Sequence, residues 1–339
     1  MVIFIPVYTY THINLYPYTL IHYNTKMGIP TLNSFLQQKC TKAITRIHLQ
    51  KLEGKKIAVD TSIYLYKFES SGNLIEQFYL FLILLNKYKI TPLFIFDGKT
   101  PQMKQDTIIK RRQEKDAAIE SYNKLKEFIE IEGSTPELAS KLSTFKKKSV
   151  VMNMSKINKV KLLLTYYGAC FLEAEGEADL LCVELVKSQI VYACLSEDMD
   201  MFAYGCPRIL RYISLINHNI VFYNTSYILT ILKIDQTELQ YLCILSGTDY
   251  NINSRNKEKN FEYWYNILMD YKSTRRKKSF IDWITENDAN IEKDKITEIA
   301  SIFTSKLNIT DLQSHEITQG ITMKTELHEM LKEDGFIFE

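Results

Sequence analysis

Short apolar runs alternating with longer helical stretches constrain this chain more than any other feature. "KKIAVD" (55–60), "PLFIFD" (92–97), "GACFLEA" (168–174), "IVYACLS" (190–196) and "RILRYIS" (208–214) read as strands. "LIEQFYLFLILLNKYK" (74–89) reads as a helix between the first two, and "EADLLCVELVKS" (177–188), apolar at helical spacing, as another. Strand and helix in repetition imply a mostly parallel central sheet with helices on both faces, an α/β class. A hydrophobic fraction of 46% over 339 residues supplies the core that such a sheet needs.

Residues 101–148 break the rhythm. Charged and without a strand, they predict helices that project from the core. After Asp249 the chain turns polar and basic, then helical to its end. With no internal repeat and no Gly/Ser-rich linker, the pattern is one core with appendages rather than two independent domains. The first 26 residues have no clear period, and they lack the basic start, continuous apolar stretch and small-residue cleavage site of a secretory signal. They read as a loose extension without regular structure, or as sequence ahead of the true start. No apolar run approaches the ~20 residues of a membrane helix. Six scattered cysteines (Cys40, Cys170, Cys182, Cys194, Cys206, Cys243) include no C-x-x-C pair, and the six histidines show no metal-ligand spacing with them. Reduced thiols of an intracellular protein are expected, and a zinc site is not. A net charge of +2 points to no polyanion partner by itself, so local charge has to decide that question.

The acids are placed less evenly. "LSEDMDMFAYG" (195–205) crowds Glu197, Asp198 and Asp200 directly after the apolar "IVYAC". Ligands of an open parallel sheet bind beyond the carboxyl ends of its strands, and acids recur at that edge. "IAVD" ends at Asp60, "FIFD" at Asp97, and "IVYACLSED" runs into Asp198 and Asp200. "EGEAD" (175–179) adds Glu175 and Glu177, and "CILSGTDY" adds Asp249. Singly, each has a plainer reading as a turn former, a helix cap or an acidic first turn. Jointly, four strand ends and an acidic helix start on one edge are poorly explained as independent caps. Clustered carboxylates raise one another's pKa and destabilise a fold unless cations compensate. Oxygen ligands without His or Cys favour Mg²⁺ or Mn²⁺. Two such ions ~4 Å apart bind the attacking and leaving oxygens of an in-line phosphoryl displacement.

At these residues the sequence resembles the flap endonuclease family, the XPG-type structure-specific 5′ nucleases. The matching stretches are "MGIPTLNSFL" (27–36), "AVDTSIYLYKF", "FDGKTPQMK" (96–104), "EGEAD", "SEDMDMFAYG" (196–205) and "LCILSGTDY" (242–250), in the family's order. The resemblance implies a PIN/5′-nuclease-like fold with three parts: an extension over 1–26, a core over 27–250 with a helical arch at about 101–150, and a helical C-terminal region over 251–339. It implies that Asp60, Asp97, Glu175, Glu177, Asp198, Asp200 and Asp249 are the metal-site carboxylates. Glu175, Glu177 and Asp97 would lie nearer one Mg²⁺, Asp200 and Asp249 nearer the other, Asp198 between them, and Asp60 would act through water.

Lys104 and Arg111 match the pair that the family places on the first helix of its arch. A spacing of seven sets both on one helix face, where they would grip the scissile phosphate. The plainer reading is a solvated basic face, shared with Lys110, Arg112 and Lys115. Tyr66 matches an aromatic that stacks on the base beside the cleavage point, although "IYLYKF" allows Tyr64 or Tyr66 to be core. Gly28 matches the glycine that follows the family's initiator Met and lies close to DNA. Segment 99–161 carries 15 Lys/Arg against 8 Asp/Glu, an excess that suits a nucleic-acid backbone track. "FKKK" (145–148) continues it or is merely solvated, and "KSTRRKK" (272–278) suits duplex contact or nuclear targeting.

Departures from the family narrow the expectation. "NINSRNKEKNFEYWY" (251–265) contains no glycine where the family has a Gly-x-Gly hairpin associated with duplex grip and a K⁺ ion. "LHEMLKEDGFIFE" lacks the Gln-led, paired-aromatic motif used to dock on a sliding clamp. The expected protein is a monomeric, Mg²⁺-dependent nuclease acting on branched DNA or on a 5′ end, at sites of DNA replication or repair. The alternatives are a non-catalytic junction-binding or recombination scaffold of the same fold, and an RNA-directed nuclease of related topology.

Overall fold

Each of the five apolar runs forms a strand of one seven-stranded sheet, in a computed structural model that describes residues 28–274, 278–307, 309, 317 and 319–336. The strands are β1 (Ile44–His48), β2 (Lys56–Asp60), β3 (Thr91–Phe96), β4 (Cys170–Glu173), β5 (Ala193–Leu195), β6 (Arg208–Ser214) and β7 (Asn219–Asn224). Their spatial order is β1-β7-β6-β5-β2-β3-β4. The block β6-β5-β2-β3-β4 is parallel throughout, whereas β7 and β1 add an antiparallel edge.

The strands read as unbroken apolar runs because the sheet is covered on both faces. Alternate residues leave opposite sides. Ile57, Val59, Phe94, Phe96, Leu195 and Leu210 join one core layer, with α2 (Thr61–Ser71), α3 (Leu74–Lys87), α6 (Met154–Tyr167) and α14 (Lys324–Glu333). Ala58, Leu93, Ile95, Cys194 and Ile209 join the other, with α1 (Leu32–Lys39), α7 (Ala178–Lys187), α8 (Asp200–Ala203), α9 (Thr225–Leu232) and α10 (Gln236–Ser246). Phe78, Phe81 and Phe94 are fully buried in the first layer, and each contributes ~2–3 kcal/mol by leaving water.

The expected helical insertion is a hairpin of α4 (Gln105–Glu132) and α5 (Pro136–Lys148). At 28 residues α4 is ~42 Å long. Only Thr107 and Ala118 of it are buried, and α5 buries nothing, so the pair stands away from the sheet. The C-terminal region is helical as expected, with α11 (Phe261–Ser273), α12 (Phe280–Asn287), α13 (Lys293–Phe303) and α14. The last of these returns to the core, where the Met323 amide donates to the Tyr166 carbonyl at 2.8 Å. No helix among the described residues is long and apolar enough to cross a membrane. The extension over 1–26 and residues 275–277 of the basic cluster lie outside the described residues; within that cluster Lys272 pairs with Glu238 and Lys278 with Glu286.

The strand order fixes where a ligand site can form. Successive crossovers run β2 to β3 to β4 in one direction, then the chain returns to place β5 on the other side of β2. The crevice at such a reversal lies beyond the carboxyl ends of the two strands, here Asp60 of β2 and the segment after Leu195 of β5.

Candidate active site

Strand register brings the acids together. Val59 pairs with Leu195, so Ser196 stands level with Asp60, and its hydroxyl donates to Asp60 Oδ2 at 2.9 Å. Phe96 pairs with Glu173, which sets Asp97 level with Ala174. Beyond these strands the backbones stay in contact, with the Gly98 amide donating to the Gly176 carbonyl at 2.7 Å and the Lys99 amide to the Glu175 carbonyl at 3.1 Å. Asp97 Oδ1 accepts from the Ala178 amide at 2.8 Å, at the N-terminus of α7, where the helix dipole favours a carboxylate. Its Oδ2 accepts from Ser62.

Asp198 and Asp200 close the cluster from the loop after β5. Asp198 Oδ1 accepts from the Asp200 amide at 2.8 Å, which bends the loop into α8. Asp200 is 1% exposed, and neither of its carboxylate oxygens has a hydrogen-bond partner. An unpaired buried carboxylate costs several kcal/mol, so its position makes sense only if the proton or a cation joins it. Burial first, then Asp198 and Asp249, push its pKa well above the usual carboxylate range. Asp198 is shifted the same way by burial and Asp249. Burial, with Asp97 and Asp198 adding to it, holds Asp60 at about 8.

Three cations answer this charge. Lys104, with a side chain only 9% exposed, places Nζ 2.6 Å from Glu177 Oε1 and 4.7 Å from the centre of the Tyr250 ring. Burial opposes its charge, but Glu177, Asp179, Asp200 and Asp249 outweigh that and raise its pKa. Arg111 reaches Asp249 Oδ2 at 2.6 Å from α4, and Arg255 reaches Asp249 Oδ1 at 3.0 Å. The Tyr250 hydroxyl donates to Glu177 Oε2 and lies 2.8 Å from the Tyr204 hydroxyl. As the side chains stand, no three acids among the described residues converge on one point that would hold an ion. The cations occupy that role instead.

The sequence-derived residues therefore divide. Asp60, Asp97, Glu177, Asp198, Asp200 and Asp249 meet at the crevice, with Lys104 and Arg111 against them. Glu175 lies on the same loop with an exposed side chain at the rim. Lys104 stands one residue before α4, in a short turn over Gln102–Lys104, rather than inside the helix as its spacing to Arg111 implied. Tyr66 is 52% exposed whereas Tyr64 is fully buried, so Tyr64 is the core residue. Gly28 is pressed onto the cluster: its φ is +69°, and a Cβ there would stand 2.4 Å from Asp198 Oδ1. Glu197, the third acid of its triplet, turns away to Lys67 at 2.9 Å.

Sequence reasoning missed two members. Asp179 is buried, and burial, Asp60 and Asp198 raise its pKa well above the usual range. Its signal was the alternation in "EGEAD", which continues two residues past Glu177. Arg255 sits among other basic residues of a polar segment and carried no signal of its own.

Comparison with known proteins agrees with this architecture. A family model described as the XPG N-terminal domain matches residues 27–118, and one described as the XPG I-region matches residues 168–249. A flap endonuclease 1 of Chlamydomonas reinhardtii is 30% identical over 244 residues, which cover 66% of this chain and 59% of that protein. The chain thus spans about three-fifths of that relative's length. A probable RAD2-like endonuclease of Invertebrate iridescent virus 6 is 26% identical over 281 residues, covering 67% and 68% respectively. Among solved structures, the catalytic core of Rad2 in complex with DNA substrate superposes with a TM-score of 0.63 at 21% identity, covering 89% of this chain and 94% of that one.

Proposed function

Since this chain belongs to the XPG-type flap endonuclease family, we propose that it is a structure-specific 5′ nuclease that hydrolyses phosphodiesters of branched DNA or at a DNA 5′ end. The observation that carries the reading is Asp200: a carboxylate buried to 1% exposure, with both oxygens unbonded, at the crevice where six acids from distant segments meet. A chain that kept the fold as a mere scaffold would gain stability by replacing it.

The donor set suits Mg²⁺, with Mn²⁺ as a substitute, because it offers carboxylate oxygens and neither His nor Cys. Asp60, Asp97, Glu175, Glu177, Asp198, Asp200 and Asp249 would hold two ions. When bound, these would supply Lewis acidity for the phosphoryl oxygens and lower the pKa of an attacking water. The chain's own cations supply the rest. Lys104 and Arg111 neutralise carboxylates now, and they are the groups placed to bind the scissile phosphate and stabilise its developing charge. Tyr66, on α2 directly after Asp60 and half exposed, presents a ring for a base to stack on, worth ~1–3 kcal/mol. The basic excess of residues 99–161 lies mostly outside α4 and α5, at Lys99, Lys104 and the start of α6 (Lys156, Lys159, Lys161), since the two arch helices carry 10 Lys/Arg against 8 Asp/Glu. Within the arch, Lys146, Lys147 and Lys148 at the end of α5 are the stretch that would give a nucleic-acid backbone a salt-sensitive contact.

Asp200→Asn tests the assignment. Cleavage of end-labelled flap, nicked and linear DNAs should be abolished while binding of the same DNAs is kept within a few-fold. Wild-type turnover by the purified variant would remove the crevice from the reaction.

A further inference from the structure

Asp249 is held from both sides by guanidinium groups, and the two differ in surroundings. Arg111 reaches Oδ2 from the root of α4 with a side chain 47% exposed. Arg255, 16% exposed, reaches Oδ1 and also bonds two backbone carbonyls. Its Nη2 also donates to the Gly28 carbonyl at 2.7 Å, and its Nε to the Gly247 carbonyl at 3.4 Å. The side chain has room to do so because residue 247 is glycine: a Cβ there would stand 2.5 Å from Arg255 Cγ, and φ is +92°. One partly buried guanidinium thus ties together Gly28, the end of α10 and a carboxylate of the cluster. The residue that it pins, Gly28, is the one at which any side chain would collide with Asp198 Oδ1.

We propose that Arg255 is a positioning residue for the metal-dependent reaction, fixing the orientation of Asp249 and seating the Gly28 backbone against Asp198. The inference rests on the nuclease reading given above and deepens it. Arg111, exposed and on a projecting helix, is the exchangeable partner of Asp249; Arg255, enclosed and bonded to two carbonyls, is the permanent one. When Arg111 moves to a substrate phosphate, Oδ2 is released while Oδ1 stays anchored. The carboxylate then meets an ion in one orientation, without first losing rotational freedom.

Two physical effects of Arg255 oppose each other, and the sign of the outcome separates them. As a bare positive charge it repels a divalent cation, so removing it would tighten binding. As an orienting partner behind a ligand it strengthens binding, and loss of such partners typically costs 10–100-fold in metal affinity. The bonds to Gly28 and Gly247 fit the second role and add nothing to the first.

The test uses the full chain without DNA. Mg²⁺ is titrated while the melting temperature is followed, and Mn²⁺ binding is read by electron paramagnetic resonance. In Arg255→Gln the metal midpoint should rise 10–100-fold. Arg255→Lys, which keeps the charge but not the planar fork, should show a smaller rise. Arg111→Gln should leave the midpoint unchanged or lower it. A midpoint in Arg255→Gln that stays within twofold of wild type, or falls, overturns the proposal. Should that variant fail to fold by circular dichroism, Arg255→Lys decides, and a wild-type midpoint there overturns it equally. A wild type that binds neither ion overturns the metal reading and this proposal with it, whereas normal wild-type binding with an unaffected Gln variant overturns this proposal alone.

Discussion

Replacing Asp60 by Asn should make the metal-free protein more stable, although it removes a residue of the proposed metal site. Asp60 is buried, and burial with Asp97 and Asp198 raises its pKa from 3.8 to about 8. The folded value lies above the unfolded one, so the neutral form is favoured in the fold. The resulting stability is complete below pH ~4 and is lost as pH rises towards 8. At ~1.4 kcal/mol per pH unit, the full loss is ~6 kcal/mol and the loss by pH 7 is ~4 kcal/mol. Neighbouring carboxyls take up part of the proton that Asp60 gives away, so we expect a measured gain of ~2–4 kcal/mol for Asp60→Asn at pH 7.5. For a chain of 339 residues, with an unfolding entropy of ~0.7 kcal/mol/K, that is a rise of ~3–6 °C in melting temperature.

The substitution is close to isosteric, and the Asn carbonyl still accepts the Ser196 hydroxyl that bonds Asp60 Oδ2 at 2.9 Å. Little packing is therefore disturbed. The assay is thermal unfolding in EDTA at pH 5 and pH 7.5, repeated at pH 7.5 with saturating Mg²⁺. The gain should fall to less than half at pH 5, where wild-type Asp60 is already protonated in the fold. With Mg²⁺ the order should reverse, because only the wild type recovers its full counter-charge. A variant no more stable than wild type in EDTA at pH 7.5, or a gain independent of pH, would refute the electrostatic account of the crevice.

Two other substitutions separate the site from its surroundings. Lys104→Met should cut single-turnover cleavage by ~10²–10³-fold, since it removes one fixed donor to the developing phosphate charge. It should also lower the Mg²⁺ concentration needed for the thermal shift, because Glu177 loses the cation now 2.6 Å away; a higher metal requirement would place Lys104 among the groups that support the ions. Glu197→Gln should cleave within a few-fold of wild type, despite lying between Ser196 and Asp198, because that carboxylate faces Lys67 at 2.9 Å. Loss of cleavage comparable to that of Asp200→Asn would show that Glu197 does enter the site.

How much of this was legible in the sequence depends on how local the signal is. β2, β3 and β5 were readable because a strand buried on both faces is apolar at nearly every position, as Ile57 to Val59 and Leu93 to Phe96 are. β4 and β6 were readable from their short apolar runs, although β4 has no fully buried residue. β1 and β7 were missed: "ITRIH" breaks its apolar positions with Thr45 and Arg46, and β1 pairs with β7, which pairs with β6, at the sheet edge, so tertiary position rather than composition makes them strands. The acids at strand ends were readable because the end of a strand fixes the place of the next residue. Glu197 shows the limit of that argument. One step along an extended backbone reverses the side chain, so it faces Lys67 while Asp198 faces the crevice. The partners of the acids were partly hidden for a related reason. Arg255 meets Gly28 across more than two hundred residues, and only the folded topology sets that distance.

The balance of charge ties the arch to the crevice. Lys104 and Arg111 stand at the root of a helical pair that is otherwise almost wholly exposed, and each is spent on a carboxylate, Glu177 or Asp249. On the proposed reading, a divalent ion entering the crevice would compete for those same carboxylates and so weaken the contacts that hold the root of α4. Thermodynamic reciprocity then requires that whatever draws Lys104 and Arg111 away, such as the phosphate of a bound strand, strengthens metal binding by the same free energy. Arg255 is set apart from this exchange by its bonds to the backbone carbonyls of Gly28 and Gly247, which neither ion nor substrate would displace. On that proposal one cation of the three is structural and two are transferable. The acids of the crevice need transferable counter-charge, since a site neutralised only by fixed cations would have no reason to accept metal.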